Sequence, residues 1–163
     1  LRFDEATDDF PSLTAEFIKI YKGNILNNPV LFDGIGELID FLDDKKIGWG
    51  IITNKHRCFV EIILKFVNLE ERCEILICGD DGISPKPSPD MMISACKSLE
   101  IHPEEVIYLG DAHKDIISAK EANIFAILAC YGYLKKDDQI DNWEADAIIN
   151  HPSEIPALIE KLD

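Results

Sequence analysis

The sequence predicts an α/β fold in which a parallel sheet is covered by helices. Two observations carry that reading. From Gly48 onward, short β-rich apolar runs alternate with stretches of helical period. The polar residues suited to chemistry fall where those apolar runs end, and in doubly wound sheets ligands bind just outside the carboxyl ends of the strands. A chain of 163 residues with 47% hydrophobic content also has the material for one ordinary core, so one domain is the starting expectation.

Strands are expected at Gly50–Thr53, Glu74–Cys78, Val106–Leu109, Phe125–Ala129 and Ala147–Ile149. Helices are expected between them at Gly34–Lys46, His56–Asn68, Pro89–Leu99, His113–Ala122 and Ser153–Leu162. In the last helix Ser153 is expected to cap the first turn, and Ile155, Leu158, Ile159 and Leu162 make one apolar face. The first 28 residues stand outside the alternation. Asp8-Asp9-Phe10-Pro11-Ser12 reads as a loop, and Thr14 to Leu26 has helical period with Phe17, Ile18, Tyr21 and Ile25 on one side. Asn27-Asn28-Pro29 breaks that helix.

Composition removes several classes of function. A formal charge of −15 with no basic stripe disfavours nucleic acid as a partner. It leaves a small anionic substrate open, because a metal ion and one lysine reverse the potential locally. Apolar runs such as Ile124 to Cys130 fall far short of the roughly 20 residues that cross a bilayer, and no basic leader opens the chain. The five cysteines are odd in number and show no C-x-x-C pair, which fits a reducing cytoplasm and small buried side chains. Because the first residue is Leu, a trimmed or processed chain is expected.

Three patterns sit at strand ends. Trp49-Gly50-Ile51-Ile52-Thr53-Asn54-Lys55 closes an apolar strand with a hydroxyl and an amide, and read alone is a helix cap. Ser84-Pro85-Lys86-Pro87-Ser88-Pro89 holds a lysine between prolines that stiffen the backbone; its plain alternative is a solvated loop lysine ahead of a helix. Val106-Ile107-Tyr108-Leu109-Gly110-Asp111-Ala112-His113-Lys114-Asp115 delivers two carboxylates spaced i, i+4, so that both can face one point. Carboxylates suit Mg²⁺, which takes one or two of them with water and phosphate oxygens. The alternative is that Asp111 caps the next helix and Asp115 is solvated.

A hydroxyl, a lysine and a carboxylate pair arriving in that order at successive strand ends resemble the haloacid dehalogenase superfamily. Thr53 matches its second motif, Lys86 its third and Gly110-Asp111-x-x-x-Asp115 its fourth, and the likeness runs from about Pro29 to the C-terminus. Trp49 to Lys55, Lys86-Pro87-Ser88-Pro89 and Tyr131-Gly132-Tyr133 look like phosphoglycolate phosphatases, and Trp143-Glu144-Ala145-Asp146 is similar to their relatives acting on N-acetylmuramic acid 6-phosphate. The resemblance implies a three-layer Rossmann-like core over 29–163 and the remnant of a helical cap over 1–28. It implies phosphate binding by Thr53, the Asn54 amide and Lys86, with Thr53, Lys86 and Asp111 in the catalytic machinery. Asp111 would ligate Mg²⁺, and Asp115 would either complete the metal shell or orient Lys86. The substrate would be a small phosphorylated metabolite.

One part is missing. The family opens its first strand with Asp-x-Asp, the leading carboxylate attacking phosphorus, and that pattern occurs nowhere in the chain. Leu1-Arg2-Phe3-Asp4-Glu5-Ala6-Thr7 has a faint look of it but lacks the second aspartate and reads as a loop. A preceding segment of roughly 40–60 residues, at usual element lengths, is therefore expected. Without its strand, two neighbouring strands would keep unpaired backbone groups, and the 163 residues alone are expected to be inactive.

Weaker features are read plainly. Gly34-Ile35-Gly36 imitates a dinucleotide loop, but Ile39 stands where the third glycine belongs. His56 and His113 are expected to be solvated, and Trp143 to be a packing residue. Two rivals to the enzyme remain. A non-catalytic phosphate-binding module would lack the nucleophile altogether. A response-regulator receiver would place its aspartates before Thr and Lys, opposite to the order found here.

Overall fold

A computed structural model of the protein describes residues 10–25, 27 and 30–162. Among them the element order is α1 (Phe10–Asn24), α2 (Ile35–Lys45), β1 (Gly50–Thr53), α3 (Arg57–Phe66), β2 (Ile75–Cys78) and α4 (Asp90–Leu99). It continues with β3 (Ile107–Gly110), α5 (His113–Glu121), β4 (Phe125–Ala129), β5 (Ala147–Ile149) and α6 (Ile155–Leu162). Each strand is a short run rich in Ile and Leu, and every pairing is parallel, which is why helices must carry the chain back between strands.

The sheet is in two parts. β1 pairs β2 from Gly50 opposite Ile75 to Thr53 opposite Cys78. β3, β4 and β5 lie side by side, with Gly110 opposite Leu128 and Ala129 opposite Ile149. Among the described residues no ladder joins β1 to β3.

Helices cover both faces, giving the three layers. In β4, alternation sends Ala126 and Leu128 to one side, where they pack with Met92 and Cys96 of α4 and Ile116 and Ala119 of α5. Ile127 goes to the other side and meets Leu38 of α2, Ile149 of β5 and Ile155 of α6. β2 does the same, Ile77 joining Met91 and Ala95 of α4 while Cys78 joins Ile39 of α2 and Val60 and Leu64 of α3. α1 rests on α3 through Tyr21, whose ring meets Phe59 edge-on at 4.7 Å. No described helix is long and apolar enough to cross a membrane, and all five cysteines are free, with Cys78 and Cys96 buried.

Two expectations are corrected. Phe10-Pro11-Ser12 belongs to α1 rather than to a loop, because a proline in the first turn forfeits no intrahelical bond; Asp8 and Asp9 lie outside the described residues. Ser153 does not cap the last helix from outside, since it lies within a short 3-10 turn over Pro152–Glu154. His151 caps that turn, its Nδ1 accepting from the Ser153 amide at 3.2 Å, while Glu154 Oε1 accepts from the amides of Asn150 (2.8 Å) and His151 (3.0 Å). Pro152 forces the residue before it to stay extended, which makes His151 the last non-helical position.

Candidate active site

Lys86 is the centre of the arrangement. Its backbone is fixed by Asn54, whose Nδ2 donates to the Lys86 carbonyl (2.8 Å) and whose Oδ1 accepts from the Lys86 amide (3.0 Å). The Lys86–Pro87 peptide is cis. The side chain turns inward and is only 6% exposed. Its ammonium donates to the Ile52 carbonyl of β1 at 2.8 Å and to the Tyr108 hydroxyl of β3 at 2.7 Å, and it forms an ion pair with Asp115 Oδ1 at 2.7 Å. The ammonium is thus held by two hydrogen bonds and one ion pair. Burial draws the Lys86 pKa below its ordinary value, while the charge and hydrogen bond of Asp115 oppose that shift.

Tyr108 completes this knot by donating to the same Ile52 carbonyl at 3.0 Å. Burial, and then the negative charges of Asp115 and Asp111, push its phenol pKa far upward, so it acts as a neutral hydroxyl. The sequence reading missed it, since a tyrosine in an apolar strand is ordinarily a packing residue. The available signal was a phenol placed directly before Leu109-Gly110-Asp111.

Asp115 sits in the first turn of α5, 5% exposed, with Oδ2 accepting from the Ala112 amide at 3.1 Å. Gly110 makes room for it, because a Cβ there would collide with the Asp115 side chain. Ser118, one turn further and fully buried, donates to the Ser88 carbonyl at 2.7 Å and so ties α5 to the lysine loop.

Asp111, at the end of β3, accepts the Tyr133 amide on Oδ2 at 2.8 Å. A Cβ on Gly132 would collide with this carboxylate, so the Tyr131-Gly132-Tyr133 turn lies directly against it. Asp111 is close enough for its charge to favour the protonated form of Lys86. Thr53 ends β1 immediately after Ile52, and its Oγ accepts from the Lys55 amide at 3.2 Å, which leaves the hydroxyl its hydrogen to donate. Lys86 and Asp115 therefore meet where β1 and β3 end, and Thr53 follows in the chain directly after the Ile52 carbonyl that Lys86 holds. Asn54 joins them as the clamp on Lys86.

The weaker features fall elsewhere. His56 lies exposed before α3, its Nδ1 3.6 Å from Asp80. His113 stacks on Trp143 at 5.3 Å, and Trp143 packs against the α4–α5 core. Gly34 turns the chain into α2 with φ +80°, and Ile39 is buried in the core.

The donor set can be tested for Mg²⁺, the metal implied by the resemblance. Among the described residues no group of three or more His, Cys, Asp and Glu is arranged to hold a metal ion. Asp111 engages an amide through Oδ2 and keeps Oδ1 for a cation, whereas both oxygens of Asp115 already have partners. One protein carboxylate fits Mg²⁺ and its preference for water and phosphate oxygens.

Comparison with known proteins agrees with this layout. The family model of haloacid dehalogenase-like hydrolases matches residues 2–129. N-acetylmuramic acid 6-phosphate phosphatase of Pseudomonas putida is 35% identical over 157 residues, covering 96% of this chain and 70% of its own. Phosphoglycolate phosphatase of Xanthomonas campestris is 31% identical over 144 residues, covering 88% of this chain and 65% of its own. The chain thus spans about two thirds of the length of the curated relatives it matches. A crystal structure of a predicted phosphoglycolate phosphatase from Haemophilus somnus 129pt superposes with a TM-score of 0.87 at 22% identity, over 97% of this chain and 69% of that one, and so shares the fold. With the motifs, the parallel α/β architecture and the matched family model in agreement, the chain belongs to the haloacid dehalogenase-like hydrolases.

Proposed function

We propose that the full-length protein is a Mg²⁺-dependent phosphatase of small phosphate monoesters that works through an aspartyl-phosphate. The observation that carries this reading is the Lys86 ammonium held at once by β1, β3 and α5 where the two strands end. A buried cation fixed in that way serves phosphoryl transfer, in which positioning and charge neutralisation supply most of the catalysis.

In this reading residues 1–28 are the end of a helical cap and 29–163 the core. The attacking aspartate lies outside the 163 residues. Its carboxylate bonds to phosphorus as the alcohol leaves, and water then cleaves the acyl phosphate to release inorganic phosphate. Lys86 neutralises the carboxylate and the phosphoryl oxygens, Thr53 donates its hydroxyl hydrogen to one of them, and Asp115 keeps Lys86 aimed. Asp111 would hold Mg²⁺, which when bound adds positive charge beside the phosphate. Relatives named for phosphoglycolate and for N-acetylmuramic acid 6-phosphate share this chain's segment, and the phosphate cradle itself does not choose between those leaving groups.

The test is a screen of the full-length gene product against many phosphorylated metabolites with and without Mg²⁺. Hydrolysis that requires the metal is the expected result. A purified, folded protein that carries an upstream Asp-x-Asp and yet turns over none of them would overturn the proposal.

A further inference from the structure

Away from the phosphate site, two side chains occupy the outer edge of β2. Among the described residues β2 pairs only with β1, and the break in the sheet lies beyond β1 on the opposite side. The Leu76 carbonyl accepts from Arg57 Nη2 at 2.8 Å, and the Cys78 amide donates to Asp81 Oδ2, also at 2.8 Å. Main-chain groups alternate sides along a strand, so these two, on residues two apart, face one way, and their side-chain partners set them apart from the β1 ladder. The same guanidinium and carboxylate are bonded to each other. Both are rooted: Arg57 opens α3 with its amide donating to Asp80 Oδ1 at 2.7 Å, and the Asp81 amide donates to the Cys78 carbonyl at 3.1 Å in the turn after β2.

We infer that the Arg57–Asp81 pair stands in for one residue of a neighbouring strand and so keeps β2 from pairing with the β2 edge of a second copy. In a parallel ladder one residue of the neighbour gives its amide to the carbonyl of residue i−1 and its carbonyl to the amide of residue i+1. At β2 the guanidinium takes the donor's place at Leu76 and the carboxylate takes the acceptor's place at Cys78. A bare edge is a template for another chain, and in purified protein the strand at hand belongs to a second copy, which a two-fold axis sets edge to edge. Side chains that already hold these groups leave an incoming strand nothing to bond, and their charges are costly to bury beneath it. The formal charge of −15 repels copies at a distance, but salt screens it beyond about 8 Å, so the edge itself decides what happens at contact.

The experiment compares the full-length protein with two double variants. Arg57→Leu/Asp81→Ala bares the edge. Lys120→Leu/Asp146→Ala removes a similar pair from the interior of the sheet, where Lys120 pairs with Asp146 and Asp146 Oδ2 accepts the Ala126 amide at 2.9 Å. Each variant loses one cation and one anion, so long-range repulsion is held constant. Sedimentation equilibrium gives the mass over a concentration series, and hydrogen exchange reads the Cys78 amide. Relative to wild type, the edge variant should approach a roughly twofold greater mass that reverses on dilution, as a closed two-fold pair does. Its Cys78 amide should exchange at least about tenfold faster than wild type when dilute and regain protection as the protein associates. The Lys120/Asp146 variant should keep the wild-type mass. The inference is overturned by an edge variant whose mass tracks wild type throughout, by equal association of both variants, or by association that leaves the Cys78 amide unprotected. Should the edge double variant not fold, Asp81→Ala alone decides: protection of Cys78 that rises with concentration upholds the inference, and faster exchange at every concentration overturns it.

Discussion

The Lys86 ammonium lies 2.7 Å from Asp115 Oδ1, and both side chains are buried, 6% and 7% exposed. A pair so enclosed is stable only as a pair. Replacing Asp115 with Asn leaves an uncompensated cation and should cost about 3–5 kcal/mol of stability, measured as a lower urea midpoint. The double variant Lys86→Met/Asp115→Leu should recover most of that loss, and a strictly additive result would show that the two residues are uncoupled.

Lys86→Met in the full-length protein should nearly abolish hydrolysis of p-nitrophenyl phosphate while far-UV circular dichroism keeps its wild-type shape. Wild-type turnover in that variant would refute the catalytic assignment.

Asp111→Asn should weaken the response to Mg²⁺, seen both as a shifted metal titration of activity and as a smaller rise in Tm on adding the metal. Unchanged curves in both measurements would remove Asp111 from the metal site.

A second ion pair contributes to stability above the acid range. The Arg57 guanidinium bonds both oxygens of Asp81, at 3.0 Å through Nε and 2.7 Å through Nη2, and holds its carboxyl below the usual range. A carboxyl depressed in the folded state contributes stability above its unfolded pKa of about 3.9 and loses it as pH falls through the lower folded value. Asp81→Asn should therefore destabilise the protein at pH 7, and its deficit relative to wild type should shrink as the pH is lowered through the acid range. A deficit that is constant with pH would contradict the linkage.

Cys78 is fully buried, and its thiol is pushed up to about 11 by desolvation, with Arg57 opposing. It should resist iodoacetamide at pH 8 in the native state and react once urea unfolds the chain. Mass spectrometry finding Cys78 labelled in native protein at the rate of a free thiol would disagree.

Most of the strands were legible because short Ile- and Leu-rich runs between loop residues have few other readings, and their observed ends moved by a residue at most. Thr53 and Asp111 stood out as candidates because each closes or follows such a run, and Lys86 because prolines flank it. What the sequence concealed was pairwise geometry. Nothing local says that Asp115 turns both oxygens inward to Lys86 and the Ala112 amide, or that Asn54 serves Lys86 through its side chain. Tyr108 was hidden because burial and hydrogen bonding of a phenol depend on a strand far away in sequence. Pro11 misled in the opposite direction, its loop signal being equally a helix-start signal.

The two covering helices have a consequence for how the molecule comes apart. In α2, Leu38 enters the core beneath β4 and β5 while its neighbour Ile39 enters the core beside β2. In α4, Met91 and Ala95 face β2 while Met92 and Cys96 face β4. Each helix thus keys adjacent side chains into separate halves, so melting either half strips the other of its cover. Heat or denaturant should meet one all-or-none unit, although its strands form two separate ladders.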